Sequence, residues 1–186
     1  MSTTFYFVRH GQTDWNIQRR YQGQMDIPLN EIGIEQAKIA AAKLAGQAFD
    51  ALYCSDLTRA VQTAAEIEKV IHLPVRKDPR LREIHQGEWQ GLPFDEVFSA
   101  SMYDSAEHLE SPALFRPPGG EAVREVAERV WSCLEELAGQ HKDQRILVVS
   151  HGLAIATALC KFRNLPLSKS REIIPDNCEM IIQNWQ

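Results

Sequence analysis

The chain has 186 residues, 44% of them hydrophobic and 24% charged, with a formal net charge of -5. That balance suits one compact domain over residues 1–186 with a substantial core, and argues against disorder. No block of Lys or Arg builds a nucleic-acid surface, no apolar stretch approaches a membrane span, and the N-terminus MSTTFYFVRH lacks the basic region of a secretion signal. The expectation is a cytoplasmic protein, monomer or homodimer, with no nucleic-acid or membrane partner.

Thr4 to Val8, aromatic and β-branched, reads as a buried strand. Asn30 can cap an alanine-rich helix running to about Gly46. Ala51 to Cys54 is a short apolar strand, after which Ser55 and Asp56 open a helix carrying Leu57, Val61, Ala64 and Ile67 at helical spacing. Pro74 to Val75 suggests another short strand. Glu83 to Gly120 is irregular, with a helix expected over Phe94 to Met102. Glu121 to Gln140 is a long amphipathic helix with Val123, Val126, Val130, Leu134 and Leu137 on its inner stripe. Ile146 to Val149 is a strand, Gly152 to Phe162 an apolar helix behind it, and Met180 to Ile182 a closing edge strand. Alternating strands and helices imply an α/β fold, a mostly parallel sheet covered on both faces.

In such sheets, ligands gather where strands end. One strand here ends in Arg9-His10-Gly11, another in Ser55-Asp56 with Arg59 one turn later, and a third in Ser150-His151-Gly152. Each residue alone has an ordinary structural explanation. The repetition of strand then His-Gly, with arginines beside it, is harder to explain that way. Arginine offers planar paired donors to phosphoryl oxygens and stays charged. Helices starting near Ser55 and Gly152 would add free backbone N–H groups for an anion. A neutral imidazole is an effective nucleophile towards phosphorus, and cationic neighbours disfavour its protonation.

Other chemistries find little support. The P-loop pattern GxxxxGK(S/T) is absent, as is a DxD aspartyl nucleophile. Cys54 and Arg59 resemble a cysteine-phosphatase loop, but that loop is one residue longer, so Cys54 reads as a buried strand residue. The cysteines, Cys54, Cys133, Cys160 and Cys178, form no C-x-x-C pair, and no His-carboxylate cluster has ligand spacing, so no metal site is expected. His72, His108 and His141 read as surface residues.

RHGQTDWN (Arg9 to Asn16) followed by Tyr21-Gln22-Gly23 resembles the opening signature of the histidine phosphatase superfamily, the phosphoglycerate-mutase-like proteins. The resemblance continues in SDLTRAVQTA (Ser55 to Ala64), LREIHQGEWQG (Leu81 to Gly91), PPGGE (Pro117 to Glu121) and VVSHG (Val148 to Gly152). It implies a three-layer α/β/α sandwich with an antiparallel edge strand. It also implies that His10 accepts the phosphoryl group, and that Arg9, Arg59 and His151 bind its oxygens with Asn16 and Gly152 nearby. Gln22 and Gly23 match pocket-lining positions. Glu83 matches the general acid and base, with Glu88 a second choice. His85 is expected to order the loop or touch substrate, and Gln86 stands where many relatives have an aromatic. No cofactor is implied for hydrolysis.

The same phosphohistidine can serve a phosphatase or a cofactor-dependent mutase. The mutases resembled here carry a long insertion between the acid and the second histidine. In this chain that interval is short, and Ser101 to Phe115 holds no Lys or Arg but does hold Glu107 and Glu110. The expectation is a phosphomonoester hydrolase for small phosphorylated metabolites, resembling broad-specificity and α-ribazole phosphatases. Phosphoglycerate mutase and a noncatalytic phosphate-binding module are the alternatives.

Overall fold

The structure, a computed structural model, describes residues 2–99, 113–114 and 116–185. Among them five strands form one sheet: β1 (Thr4–Arg9), β2 (Ala51–Cys54), β3 (Val75–Lys77), β4 (Arg145–Ser150) and β5 (Met180–Asn184), in the order β3-β2-β4-β1-β5. Neighbours among β1 to β4 are parallel, and β5 runs antiparallel to β1 at the edge. The helices are α1 (Asp14–Ile17), α2 (Glu31–Ala42), α3 (Thr58–Ile71), α4 (Phe94–Ser99), α5 (Val123–Gln140) and α6 (Gly152–Phe162).

Successive strand side chains point to opposite faces, so each apolar run feeds two cores. Phe5, Phe7, Tyr53, Ile146 and Val148 pack with the Val126, Val130 and Leu134 stripe of α5 and with Ile155 and Leu159 of α6. Tyr6, Val8, Leu52, Leu147 and Val149 pack on the other side with Ala41 of α2 and with Ala60, Ala64 and Ile67 of α3. This is the expected three-layer α/β/α sandwich. Buried alanines let α2 and α3 lie close to the sheet.

Several element boundaries differ from the sequence expectation. Asn30 does cap α2, its Oδ1 accepting from the Gly33 N–H at 2.8 Å, but the helix ends at Ala42 and the chain turns before Gly46. The third helix begins at Thr58 rather than at Ser55-Asp56. Its cap comes from Asp26, which accepts from the Thr58 N–H at 2.7 Å and from its hydroxyl at 2.8 Å. A cap supplied from a distant loop leaves no local sequence signal. Asp56 is free to pair with Arg82 instead, at 2.6 and 2.7 Å. Similarly, α5 starts at Val123 because Glu121 is drawn off to Arg129.

His141 is half-buried rather than freely exposed: its ring sits between the Tyr53 hydroxyl (3.0 Å) and the Gln144 side chain (2.6 Å). His72 is exposed and ends α3 in the left-handed region, φ 59°. The expected helix from Phe94 is seen through Ser99, and its remainder, with Glu107, His108 and Glu110, lies outside the described residues. No helix among the described residues is long and apolar enough to cross a membrane.

Candidate active site

Strands β1 and β4 are neighbours, and their register sets Arg9 opposite Ser150. The next residues, His10 and His151, therefore emerge side by side, with ring centroids 5.1 Å apart. The chain leaves β1 towards the α2/α3 layer and leaves β4 towards α6 on the other face, which opens a crevice between them. Gly11 allows the loop after β1 to press against α2, since a Cβ there would collide with the Gly33 carbonyl oxygen.

Both histidines are buried, His10 at 3% exposure and His151 at 0%. The His10 Nδ1 lies 2.7 Å from the Gly11 carbonyl oxygen. A carbonyl only accepts, so Nδ1 carries the hydrogen and a neutral ring keeps its lone pair on Nε2. Burial lowers the His10 pKa well below its ordinary value, and the charges of Arg59 and Arg9 push it the same way. The Asn177 amide, donating to the His10 carbonyl at 2.8 Å, helps hold the residue in place. His151 is also shifted well down, by burial first and then by Arg59 and His10. Neither of its ring nitrogens has a hydrogen-bond partner among the described residues.

Arg59 lies at the first turn of α3 at 1% exposure. Its Nη1 and Nη2 donate to the Met25 and Gly23 carbonyls, each at 2.8 Å, leaving a buried Nε without a partner. Burial pushes its pKa down to about 10, so it stays charged at neutral pH. Arg9 donates from Nη1 to the Pro175 carbonyl at 2.7 Å, and its Nε is likewise buried and unpaired. Buried donors are normally satisfied. Here the unpaired ones belong to two arginines that line the same cavity as His10, which is the arrangement an oxyanion would complete.

Glu83 lines the same cavity. Its Oε2 accepts from the Leu153 N–H at 3.2 Å, and its Oε1 from the Ala154 N–H at 3.3 Å and the Ile84 N–H at 3.0 Å. The N-terminus of α6 is thus occupied by a protein carboxylate, and that of α3 by Asp26. This narrows the expectation that these two helix starts offer free N–H groups to a ligand anion, since the Thr58, Leu153 and Ala154 N–H groups are already taken.

The segment around Glu83 is pinned from several sides. Arg129 of α5 donates to the carbonyls of Arg80 (2.8 Å), Arg82 (2.6 Å) and Glu83 (2.9 Å), and pairs with Glu121 at 2.9 Å. Glu121 in turn accepts the His85 N–H at 2.7 Å, while Ser150 Oγ donates to the Leu81 carbonyl at 2.7 Å. His85 orders this loop, its Nδ1 accepting from the Gly87 N–H at 3.1 Å. Glu88 is exposed and is not among the cavity-lining residues.

The cavity has a volume of about 160 Å³, and Asn16, Gln22, Gly23, Gln86 and Gly152 also line it. Asn16 turns its Oδ1 to the Thr13 N–H at 2.9 Å, capping α1. Arg9, His10, Asn16, Gln22, Gly23, Arg59, Glu83 and Gly152 therefore meet at one place, joined by His151 through its ring contact with His10, whereas Glu88 and His85 lie outside the lining. Arg20 and Arg171 line the cavity as well, and sequence reasoning missed both. Arg20 directly precedes the Tyr21-Gln22-Gly23 motif, whereas Arg171 sits in a C-terminal segment with no motif. Cys54 is fully buried, and burial pushes its thiol up to about 12, so it supplies no thiolate. A larger groove of about 540 Å³, between α5 and α6, contains no histidine.

Comparison with known proteins agrees with this geometry. The chain is 37% identical over 162 residues to phosphoserine phosphatase 1 of Hydrogenobacter thermophilus, covering 87% of this chain and 77% of that protein. It is 34% identical over 181 residues to a probable phosphoglycerate mutase of Yersinia pestis, covering 97% of this chain and 84% of that one. Among solved structures, mycobacterial glucosyl-3-phosphoglycerate phosphatase in complex with VO3 superposes with a TM-score of 0.85 at 32% identity, over 96% of this chain and 90% of that chain. Residues 5–186 match the family profile described as histidine phosphatase superfamily (branch 1), and the chain belongs to that family.

Proposed function

We propose that the protein hydrolyses phosphomonoesters of small metabolites through a phosphohistidine at His10. The observation that carries this reading is the neutral, buried His10 ring, its Nδ1 held by Gly11 and its Nε2 left for attack beside unpaired donors of Arg9, Arg59 and His151. Those donors bind the phosphoryl oxygens and stabilise the charge spread over them in transfer. His10 Nε2 forms the bond to phosphorus as the P–O ester bond breaks. Glu83 gives the departing alkoxide its proton, and its carboxylate then takes one from the water that attacks phosphohistidine. Inorganic phosphate leaves, and both residues return to their starting states.

Relatives named as phosphatases and as a phosphoglycerate mutase share this fold, so the acceptor must be tested directly. A panel of phosphomonoesters, with 3-phosphoglycerate assayed with and without 2,3-bisphosphoglycerate, should show phosphate release faster than isomerisation. Isomerisation outrunning release would make the protein a mutase. Silence across the panel, with no acid-labile phosphoenzyme, would make it a binding module. H10A should fold and form no phosphoenzyme. If it is instead labelled at His151, the two histidine roles are reversed.

A further inference from the structure

His10 can attack phosphorus from Nε2 only while its ring hydrogen sits on Nδ1, and the Gly11 carbonyl 2.7 Å away keeps it there. Glycine is the most permissive residue towards rotation of its peptide groups, so that carbonyl has to be held from outside. Two peptide groups meet at Gly11. The first, between His10 and Gly11, is anchored at both ends. Its carbonyl accepts from the Asn177 amide at 2.8 Å, and its N–H donates to the Thr63 hydroxyl at 3.0 Å. Thr63 is fully buried in α3 and gives its own hydrogen to the Arg59 carbonyl at 2.8 Å, which leaves its oxygen to accept.

The second peptide group, between Gly11 and Gln12, carries the carbonyl that faces His10. Its N–H donates to Gln36 Oε1 at 2.9 Å, its only hydrogen bond among the described residues. Gln36 stands on α2 one turn after Gly33, on the same side of the helix. A Cβ on Gly33 would collide with the Gln12 carbonyl oxygen, so this glycine lets the loop lie against α2 within reach of Gln36. The Gln12 carbonyl also accepts from the N–H of Asn30, the residue that caps α2, at 3.0 Å. Turning the Gly11–Gln12 peptide group over would take the Gly11 carbonyl off Nδ1 and separate the Gln12 N–H from Gln36. The ring could then carry its hydrogen on Nε2, where no lone pair would remain for phosphorus.

We propose that Gln36 is a positioning residue that sets the tautomer of His10, acting through the Gly11–Gln12 peptide group. Gln36 is not among the cavity-lining residues, and its contact is with backbone. Its consequence for catalysis rests on the phosphohistidine reading, whereas the tautomer is a property of the resting protein.

Two-bond proton–nitrogen NMR of the histidine rings reads the tautomer directly, above neutral pH and with His10 assigned through H10A. The wild type should carry hydrogen on Nδ1 and none on Nε2. Q36M removes the acceptor while keeping the length and helix propensity of the side chain, and should move His10 into a mixture with the Nε2–H form. Q36E keeps an acceptor at the same reach and should retain the wild-type pattern. An unchanged His10 pattern in Q36M overturns the proposal, as does a wild type with its hydrogen on Nε2.

In single-turnover assays Q36M should form phosphoenzyme about three- to tenfold more slowly, the scale of one lost hydrogen bond. The loss should be equal for alkyl phosphates and p-nitrophenyl phosphate, because the defect lies in the nucleophile, and affinity for inorganic phosphate should not change. A slower step with an unaltered His10 pattern also overturns the role. If the wild type forms no phosphoenzyme, the hydrolytic reading alone fails, and the spectra of wild type and Q36M still decide whether Gln36 sets the tautomer.

Discussion

Glu83 shows how little a residue type reveals without its surroundings. In the sequence it is one glutamate among many, picked out by the LREIHQG resemblance. In the structure it lies in the cavity beside Arg9 and Arg59, while Glu88 in the same stretch does not. A proton donor matters most when the leaving alkoxide is strongly basic. E83Q should therefore slow hydrolysis of alkyl phosphates by roughly 10²–10⁴-fold, the usual range for general acid catalysis, and that of p-nitrophenyl phosphate much less. Equal losses on both in steady-state assays would remove Glu83 from the role of acid. His10 differs in being conspicuous in the sequence. What the fold adds is its tautomer, because only the folded loop brings the Gly11 carbonyl to Nδ1.

At the scale of elements, local signals located strands and helix interiors well and helix starts less well. The Ala51 to Cys54 strand and the apolar Gly152 to Phe162 helix stand at the limits read from the sequence, because buried apolar runs are local. The start of α3 was misplaced because Asp26 caps it from a distant loop. The clamp on the Glu83 loop was invisible for the same reason: Arg129 and Glu121 meet the carbonyls of residues 80, 82 and 83 only after α5 has docked. Lysine cannot reproduce that fork. R129K should destabilise the protein by about 1–2 kcal/mol in chemical denaturation, given the partial exposure of the pair. It should also lower kcat on alkyl phosphates more than on p-nitrophenyl phosphate, the leaving-group signature of a misplaced Glu83. A uniform loss across leaving groups would leave Arg129 with a structural role alone.

For the whole molecule, two neutral histidines buried beside arginines link stability to pH. In the unfolded chain each titrates near its ordinary value of about 6.5. In the folded protein both pKa values lie well below that, so the unfolded state takes up protons first as pH falls. The stability they contribute is fully present above about pH 6.5 and is lost progressively below it. The slope approaches about 1.4 kcal/mol per pH unit for each histidine at pH values between its folded and unfolded pKa. Denaturation midpoints should fall between pH 7 and pH 5, and the fall should be shallower in H10Q. An H10Q profile parallel to the wild type would show that His10 titrates alike in both states.

The sequence by itself determined the alternation of strands and helices, the covered parallel sheet with its antiparallel edge, and the set of residues that meet at the strand ends. The alternation and the covered sheet follow from apolar periodicity, the residue set from motifs contiguous along the chain, and the antiparallel direction of the edge from the family resemblance those motifs carry. Only the tertiary structure decided which helix ends remain open to a ligand, since Asp26 and Glu83 fill two of them from far away. It alone brought Arg20 and Arg171 to the cavity, because neither periodicity nor motif records which side chains from distant segments share a wall. It also decided the charge state of the central histidines, which depends on burial and on arginines that arrive from β1 and α3.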